Sequence, residues 1–170
     1  LGAKIYGYAI DPISKPDFFD EMKLSRFLEK DYRKDISDLN SLKKVIRKHK
    51  PQIIFHLAAQ SSVLVSYKNP IDTIMTNVIG TTNILEAIKS SKSVKAGIIV
   101  TTDKVYLNLE KQKKFNENDP LGGHDIYSGS KAASEIIFQS FLKSFFQDNR
   151  LNLATVRSGN CIGGGDWTKD

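Results

Sequence analysis

Cysteine is almost absent from this 170-residue chain. Cys161 stands alone, so no intrachain disulfide can form, and a lone thiol fits a reducing compartment such as the cytoplasm. No apolar run approaches the roughly 20 residues that a membrane-spanning helix needs. No basic-then-apolar leader opens the chain, so no membrane partner is expected. Zinc-ligand spacing is missing, and no metal is expected. Repeats and low-complexity linkers are missing too, which points to a single domain over residues 1–170. What remains is ordinary globular composition, 40% hydrophobic and 26% charged. That is enough apolar content for a real core and argues against disorder.

The formal net charge is +6, from 25 Lys and Arg against 19 Asp and Glu. An excess of this sign raises the question of nucleic acid, and the answer lies in its distribution. The densest basic stretch holds Lys43, Lys44, Arg47, Lys48, His49 and Lys50. These surround Leu39, Leu42 and Ile46 at helical spacing, so they form the wet face of an amphipathic helix. With no RNA-binding signature beside them, no nucleic-acid partner is expected. A diffuse positive field does favour an anionic substrate.

Along the chain, strand-like and helix-like segments alternate. Strands are predicted at Ala3–Ile10, Asp31–Lys34, Ile53–Leu57, Gly97–Val100 and Leu151–Val156. Helices are predicted at Asp20–Glu29, Asp38–Lys50, Ile71–Lys89 and Ile126–Phe146. Short continuous apolar runs such as Ile53-Ile54-Phe55-His56-Leu57 suit strands buried on both faces of a parallel sheet. The alternation argues an α/β fold, a Rossmann-like doubly wound parallel sheet.

Chemistry-bearing residues fall at the ends of these strands. Tyr127 and Lys131 lie four apart at the start of a helix and share one face. A nearby cation lowers a phenol from about 10 towards working pH, as a general base for a hydroxyl proton requires. That spacing occurs by chance in many helices, but position strengthens it. About 25 residues upstream a buried strand closes on Thr101-Thr102-Asp103-Lys104, where ligands of open parallel sheets bind. His56-Leu57-Ala58-Ala59-Gln60 leaves the preceding strand with small residues that permit close approach of a flat cofactor. Asp11, before Pro12, reads locally as an ordinary turn residue.

The set His56-Leu57-Ala58-Ala59-Gln60, Thr76-Asn77-Val78-x-Gly80-Thr81, Thr102-Asp103-Lys104, Tyr127-Ser128-x-Ser130-Lys131 and Arg157-x-Gly159-Asn160 resembles the extended short-chain dehydrogenase/reductase superfamily. Within it, Gly7-Tyr8-Ala9-Ile10-Asp11, Lys104, Pro120-Leu121-Gly122-Gly123 and Gly163-Gly164-Gly165-Asp166-Trp167 are similar to CDP-glucose 4,6-dehydratases. The resemblance runs the length of the chain. Related dTDP-glucose dehydratases are expected to carry glutamate where Lys104 stands.

The resemblance implies a nucleotide-sugar dehydratase that uses NAD, a lyase of deoxysugar and O-antigen biosynthesis. Tyr127, with Lys131 and Thr102, would take the sugar 4-hydroxyl proton while hydride leaves C4 for NAD. Asp103 would protonate the departing C6 hydroxyl, and Lys104 would act as the C5 base or steady the enolate. Cofactor contacts are implied for Asp11, Asp35, Ile36, Leu57, Ala58, Ala59, Gln60, Asn77, Thr101, Tyr127, Lys131 and Arg157. Substrate contacts are implied for Gln60, Asn160, Gly164, Gly165, Asp166 and Trp167, with CDP-glucose as the substrate. Relatives suggest a homodimer through a bundle that includes the Tyr127 helix. They also carry a first strand, a Gly-rich pyrophosphate loop and a C-terminal substrate region for which this sequence has no counterpart. The expectation is therefore a partial domain with an interrupted sheet, unable to turn over substrate by itself.

Three departures stand out. Ile126 replaces the usual Pro before the catalytic Tyr, and Gly129 inside that turn costs up to about 1 kcal/mol of helix stability relative to Ala. Cys161 replaces an expected Val and is predicted to pack as a small apolar residue. The rival readings are a 4-epimerase on the same scaffold, a dehydratase for another nucleotide, and a non-catalytic NAD- or partner-binding protein.

Overall fold

A computed structural model describes residues 2–110, 114–147, 151–165 and 167. Its described strands are β1 (Tyr6–Ala9), β2 (Lys30–Arg33), β3 (Ile53–His56), β4 (Ala96–Thr102) and β5 (Asn152–Ser158). All pair in parallel, but in two groups: β1 with β2, and β3-β4-β5 in that order. Laid out as β2-β1, then β3-β4-β5, they follow the dinucleotide-binding order with the central position open. The expected interruption of the sheet falls there.

The described helices are α1 (Phe18–Glu21), α2 (Leu39–His49), α3 (Val63–Lys68), α4 (Pro70–Ile74), α5 (Gly80–Lys89) and α6 (Ile126–Phe145). Helix α2 forms where the apolar spacing placed it. Asp38 caps its N-terminus by accepting from the Ser41 N–H at 2.9 Å, and Lys50 ends it in left-handed geometry at φ 49. Leu42 and Ile46 are buried, whereas Lys44, Arg47, Lys48 and Lys50 face solvent.

One core joins both groups of strands. Ile36, Leu42 and Ile46 meet Ile84, Leu85 and Ile88 of α5, Ile99 of β4 and Phe138 of α6. Two glycines permit the approach. A Cβ at Gly80 would stand 2.6 Å from Ile36 Cγ2, and one at Gly97 2.7 Å from Leu153 Cδ2.

Side chains alternate across a strand, so β3-β4-β5 has two faces. Ile54, Ile99 and Leu153 point into the core. Phe55, Ile98 and Ala154 form a row on the opposite face, which the described residues leave open: Phe55 is 64% exposed. The reading of Ile53–Leu57 as buried on both sides is therefore corrected for one side.

Other expectations also shift. The helix expected over residues 20–29 is instead α1 and a separate 3-10 turn, Leu24–Phe27, divided by Lys23 at φ 50. Neither piece buries a residue, so nothing rewards a continuous helix. Helix α3 was not expected; Ser62 caps it, accepting from Val65 N–H at 3.2 Å. The long helix of 71–89 is present as α4 and α5, joined by a five-residue π-turn, Met75–Ile79.

Candidate active site

The carboxyl ends of the strands carry the site. β4 leads through Thr101 and Thr102 into a 3-10 turn, Asp103–Val105. The Thr102 hydroxyl donates to Asp103 Oδ1 at 3.2 Å and accepts from the Lys104 N–H at 3.4 Å, which shapes that turn. Asp103 and Lys104 stay exposed while Val105 anchors the turn in the interior.

The segment that returns to α6 is clamped on this turn. Leu107 N–H donates to Pro120 O and Gly122 N–H to Val105 O, both at 2.8 Å. A Cβ on Gly123 would lie 2.4 Å from Gly129 N, so only glycine lets this loop seat on the first turn of α6. Asp125 caps α6 twice, accepting from Ser128 N–H at 2.9 Å and from the Ser128 hydroxyl at 2.6 Å. In the sequence, Gly122-Gly123 is a mark of resemblance; this close approach is its physical reason. A cleft of about 310 Å³ opens beside the turn, lined in part by Asp103, Lys104, Tyr106, His124, Asp125 and Ser128. A larger hollow of about 550 Å³ near Ile46 and Ala87 takes none of the expected site residues.

Tyr127 and Lys131 are both buried on the inner face of α6. Burial raises the Tyr127 phenol above its usual range; a hydrogen bond with Thr102 opposes this, and Asp103 and Asp125 add to the rise. Lys131 is not among the groups that shift the phenol, so the expected lowering by it is not found in this arrangement. Lys131 is itself pushed down by burial and held up by Glu135. Its Nζ donates to Val100 O at 3.0 Å.

Asn77 sits in the π-turn and ties three elements together. Its Oδ1 accepts from Gln60 N–H at 2.9 Å, and its Nδ2 donates to Gln60 O at 3.0 Å and Ser130 Oγ at 2.9 Å. Its carbonyl accepts from Thr81 Oγ1 at 2.7 Å and Ser134 Oγ at 2.8 Å. Because the Thr81 hydroxyl proton is used there, His56 Nε2 must donate to Thr81 Oγ1 across 3.1 Å. The neutral form of His56 therefore carries its proton on Nε2. Burial, with Lys131 nearby, lowers the His56 pKa to about 4.

The remaining expected residues spread along the same strand ends. Asp11 follows β1 with its side chain 85% exposed and Arg33 at 4.0 Å. Asp35 Oδ1 accepts from Ser37 N–H at 2.7 Å, and the Ile36 side chain lies in the core. Leu57 is exposed beyond β3, with Ala58 and Ala59 half-buried next to it. The Gln60 side chain folds inward, donating to Ser62 O and to Thr73 Oγ1. Arg157 pairs with Glu135 rather than facing the cleft. Asn160 and Gly164 are exposed, and Trp167 is 42% exposed. Gly165 adopts φ +89 against Phe18, a position only glycine fills. Asp166 lies outside the described residues. Cys161 is exposed, which corrects its expected packing.

This donor set fits a dinucleotide. An exposed carboxylate beyond β1 suits ribose hydroxyls, small side chains beyond β3 admit a flat ring, and Lys131 has two N–H bonds besides the one to Val100 O.

Residues 23–153 match the family model described as GDP-mannose 4,6 dehydratase. The chain belongs to that family. CDP-glucose 4,6-dehydratase of Salmonella typhimurium is 42% identical over 175 residues, covering 100% of this chain and 48% of the relative. The chain thus spans about half the length of that curated relative. Two solved members of the wider fold are also similar. UDP-glucose 4-epimerase of Thermotoga maritima with UDP-glucose superposes with a TM-score of 0.75 at 25% identity, covering 92% of this chain and 47% of the epimerase. The dTDP-glucose 4,6-dehydratase of Bacillus anthracis in complex with NAD gives 0.69 at 28% identity, covering 91% and 45%.

The site residue that sequence reasoning missed is Glu135, fully buried one turn beyond Lys131. A lone acid among the small and apolar residues of α6 was the available signal.

Proposed function

We propose that the whole protein carrying this chain dehydrates CDP-D-glucose to CDP-4-keto-6-deoxy-D-glucose, with NAD as its bound cofactor. The observation that carries the reading is the convergence of buried Tyr127 and Lys131 with the Thr102-Asp103-Lys104 turn at the carboxyl end of β4. The 42% identity to a CDP-glucose 4,6-dehydratase supports this nucleotide and sugar, and the NAD-bound dTDP-glucose dehydratase supports the cofactor.

Bound NAD supplies a hydride acceptor for sugar C4 and a donor for C6. The work of the protein is in protons. Tyr127, as a phenolate held by Thr102 and Lys131, takes the 4-hydroxyl proton and becomes the phenol. The 4-ketone acidifies C5–H, and Lys104 takes that proton or steadies the enolate. Asp103 gives a proton to the C6 hydroxyl, which leaves as water. A proton then returns to C5 as hydride reaches C6, so no net redox occurs. Asp11, Asp35, Ile36, Leu57, Ala58, Ala59, Gln60, Asn77, Thr101 and Arg157 frame the dinucleotide, directly or through the backbone they hold. Asn160, Gly164, Gly165, Asp166 and Trp167 belong to the sugar-nucleotide side, with Gln60 reaching towards it.

The second reading is a 4-epimerase, favoured by the similarity to UDP-glucose 4-epimerase. The exposed Asp103-Lys104 pair weighs against it, because epimerisation loses no water and needs no such acid. A homodimer accompanies the main reading. Leu64, Tyr67, Ile71 and Ile136 are 51%, 65%, 69% and 54% exposed along α3, α4 and α6, an apolar stripe of the kind subunits cover. The single exposed thiol suits a reducing cytoplasm, and the product suits deoxysugar biosynthesis such as that of O-antigen.

The test supplies the whole protein and NAD with CDP-glucose, dTDP-glucose or UDP-glucose and follows 4-keto-6-deoxy product. Product is expected from CDP-glucose alone. Tyr127→Phe should lower turnover by about 10²- to 10⁴-fold. No product from CDP-glucose would overturn the reading.

A further inference from the structure

Glu135 is 0% exposed, yet it is a carboxylate. Its four hydrogen bonds account for that burial. Oε1 accepts from Thr101 Oγ1 at 2.6 Å and Arg157 Nε at 3.1 Å; Oε2 accepts from Thr155 Oγ1 and Arg157 Nη2, both at 3.1 Å. Arg157 is held in turn by Glu117 O at 3.2 Å and by the Tyr106 ring, 4.9 Å from its guanidinium carbon. Burial pushes Glu135 up, but Arg157 and the two hydroxyls outweigh it and keep the carboxyl ionised.

Tyr127, Lys131 and Glu135 succeed one another at four-residue steps, so they line one face of α6. Lys131 is nearly as buried as Glu135, and its one described hydrogen-bond acceptor, Val100 O, is neutral. An ammonium in that position needs an anion close by. The other charged and titratable groups around this face are His56 of β3, which is neutral, Arg157 of β5, and Asp103 and Asp125 near Tyr127.

We propose that Glu135 is a positioning residue that keeps Lys131 protonated and fixes the ends of β4 and β5 against α6. Through Thr101 it sets the strand end from which Thr102 and Asp103 emerge, and through Arg157 the end that leads to Asn160. The role of Lys131 in dehydration rests on the function proposed above; its charge state does not.

The test uses the whole protein with ¹³C,¹⁵N-lysine and follows the Lys131 side-chain resonance against pH, assigned by its loss in Lys131→Arg. Removing the carboxylate charge lowers the Lys131 midpoint, so Glu135→Gln should shift it down by about one to two pH units. Thr155→Val removes a hydrogen bond and keeps the charge, and should leave the midpoint in place. If Glu135→Gln does not fold, Arg157→Met tests the same coupling with opposite sign, because an uncovered carboxylate holds Lys131 protonated to higher pH. A Lys131 midpoint unmoved in Glu135→Gln, or unmoved or lowered in Arg157→Met, overturns the proposal. These titrations stand whether or not CDP-glucose is turned over. If it is, the alkaline limb of kcat against pH should move to lower pH in Glu135→Gln, whereas a purely structural role lowers kcat without moving that limb.

Discussion

The two faces of the β3-β4-β5 sheet are built from alternate residues of the same strands, yet they differ in every respect. On the inner face His56, Ile99 and Thr101 are at most 4% exposed and lie under α5 and α6. On the outer face Ile53, Phe55 and Val156 are 56%, 64% and 46% exposed. The inner face mixes apolar packing with paired polar groups; no buried side-chain polar atom among the described residues lacks a hydrogen-bond partner. On the outer face the described residues leave Ile53, Phe55 and Val156 uncovered. Lys131, Glu135 and His56 all lie buried on the side where packing fixes each polar group.

The contrast is easiest to break at its apolar centre. Phe138 is 2% exposed beneath the inner face, and Phe138→Ala should cost about 3–5 kcal/mol in urea unfolding. A loss below about 1 kcal/mol would mean that the inner face is loosely packed.

His56 tests the polar part of the same face. Its pKa is lowered by burial from 6.5 to about 4, so the folded state resists a proton that the unfolded state accepts. Stability from this group is complete above pH 6.5 and is lost as pH falls towards about 4, on the order of 3 kcal/mol in all. Unfolding free energy measured between pH 7 and 4 should fall more steeply in the parent than in His56→Gln. Equal slopes would place His56 in contact with water.

The outer face should give the smallest effect. In the 170-residue chain Phe55→Ser should change stability by no more than about 0.5 kcal/mol. A loss as large as that of Phe138→Ala would mean that this face is covered in solution.

Much of this architecture was legible in the sequence. Apolar strand runs alternating with amphipathic helices indicate the parallel α/β order, and Pro51 and Asp38 bound α2 because caps and breakers act locally. Thr101 to Lys104 at a strand end and Tyr127 to Lys131 at a helix start mark one end of the sheet from sequence position alone. The exposure of Phe55 on the outer face was not legible, because a run such as Ile53–Leu57 reports affinity for cover on two sides, not whether cover is present. The π-turn at Met75–Ile79 left no trace, since it changes hydrogen-bond register without changing the apolar stripe. Glu135 escaped because its partners, Thr101, Thr155 and Arg157, lie far away in sequence and meet only through strand pairing.

In the function we propose, one cluster moves hydrogen from C4 to C6 of a single sugar and removes water between. The whole protein supplied with NAD and CDP-glucose carrying deuterium at C4 tests it directly, with the product read by NMR or mass spectrometry. A 4-keto-6-deoxy product with the deuterium on C6 is expected. Deuterium retained on C4 of an inverted sugar, with no water lost, would contradict it and make the protein an epimerase.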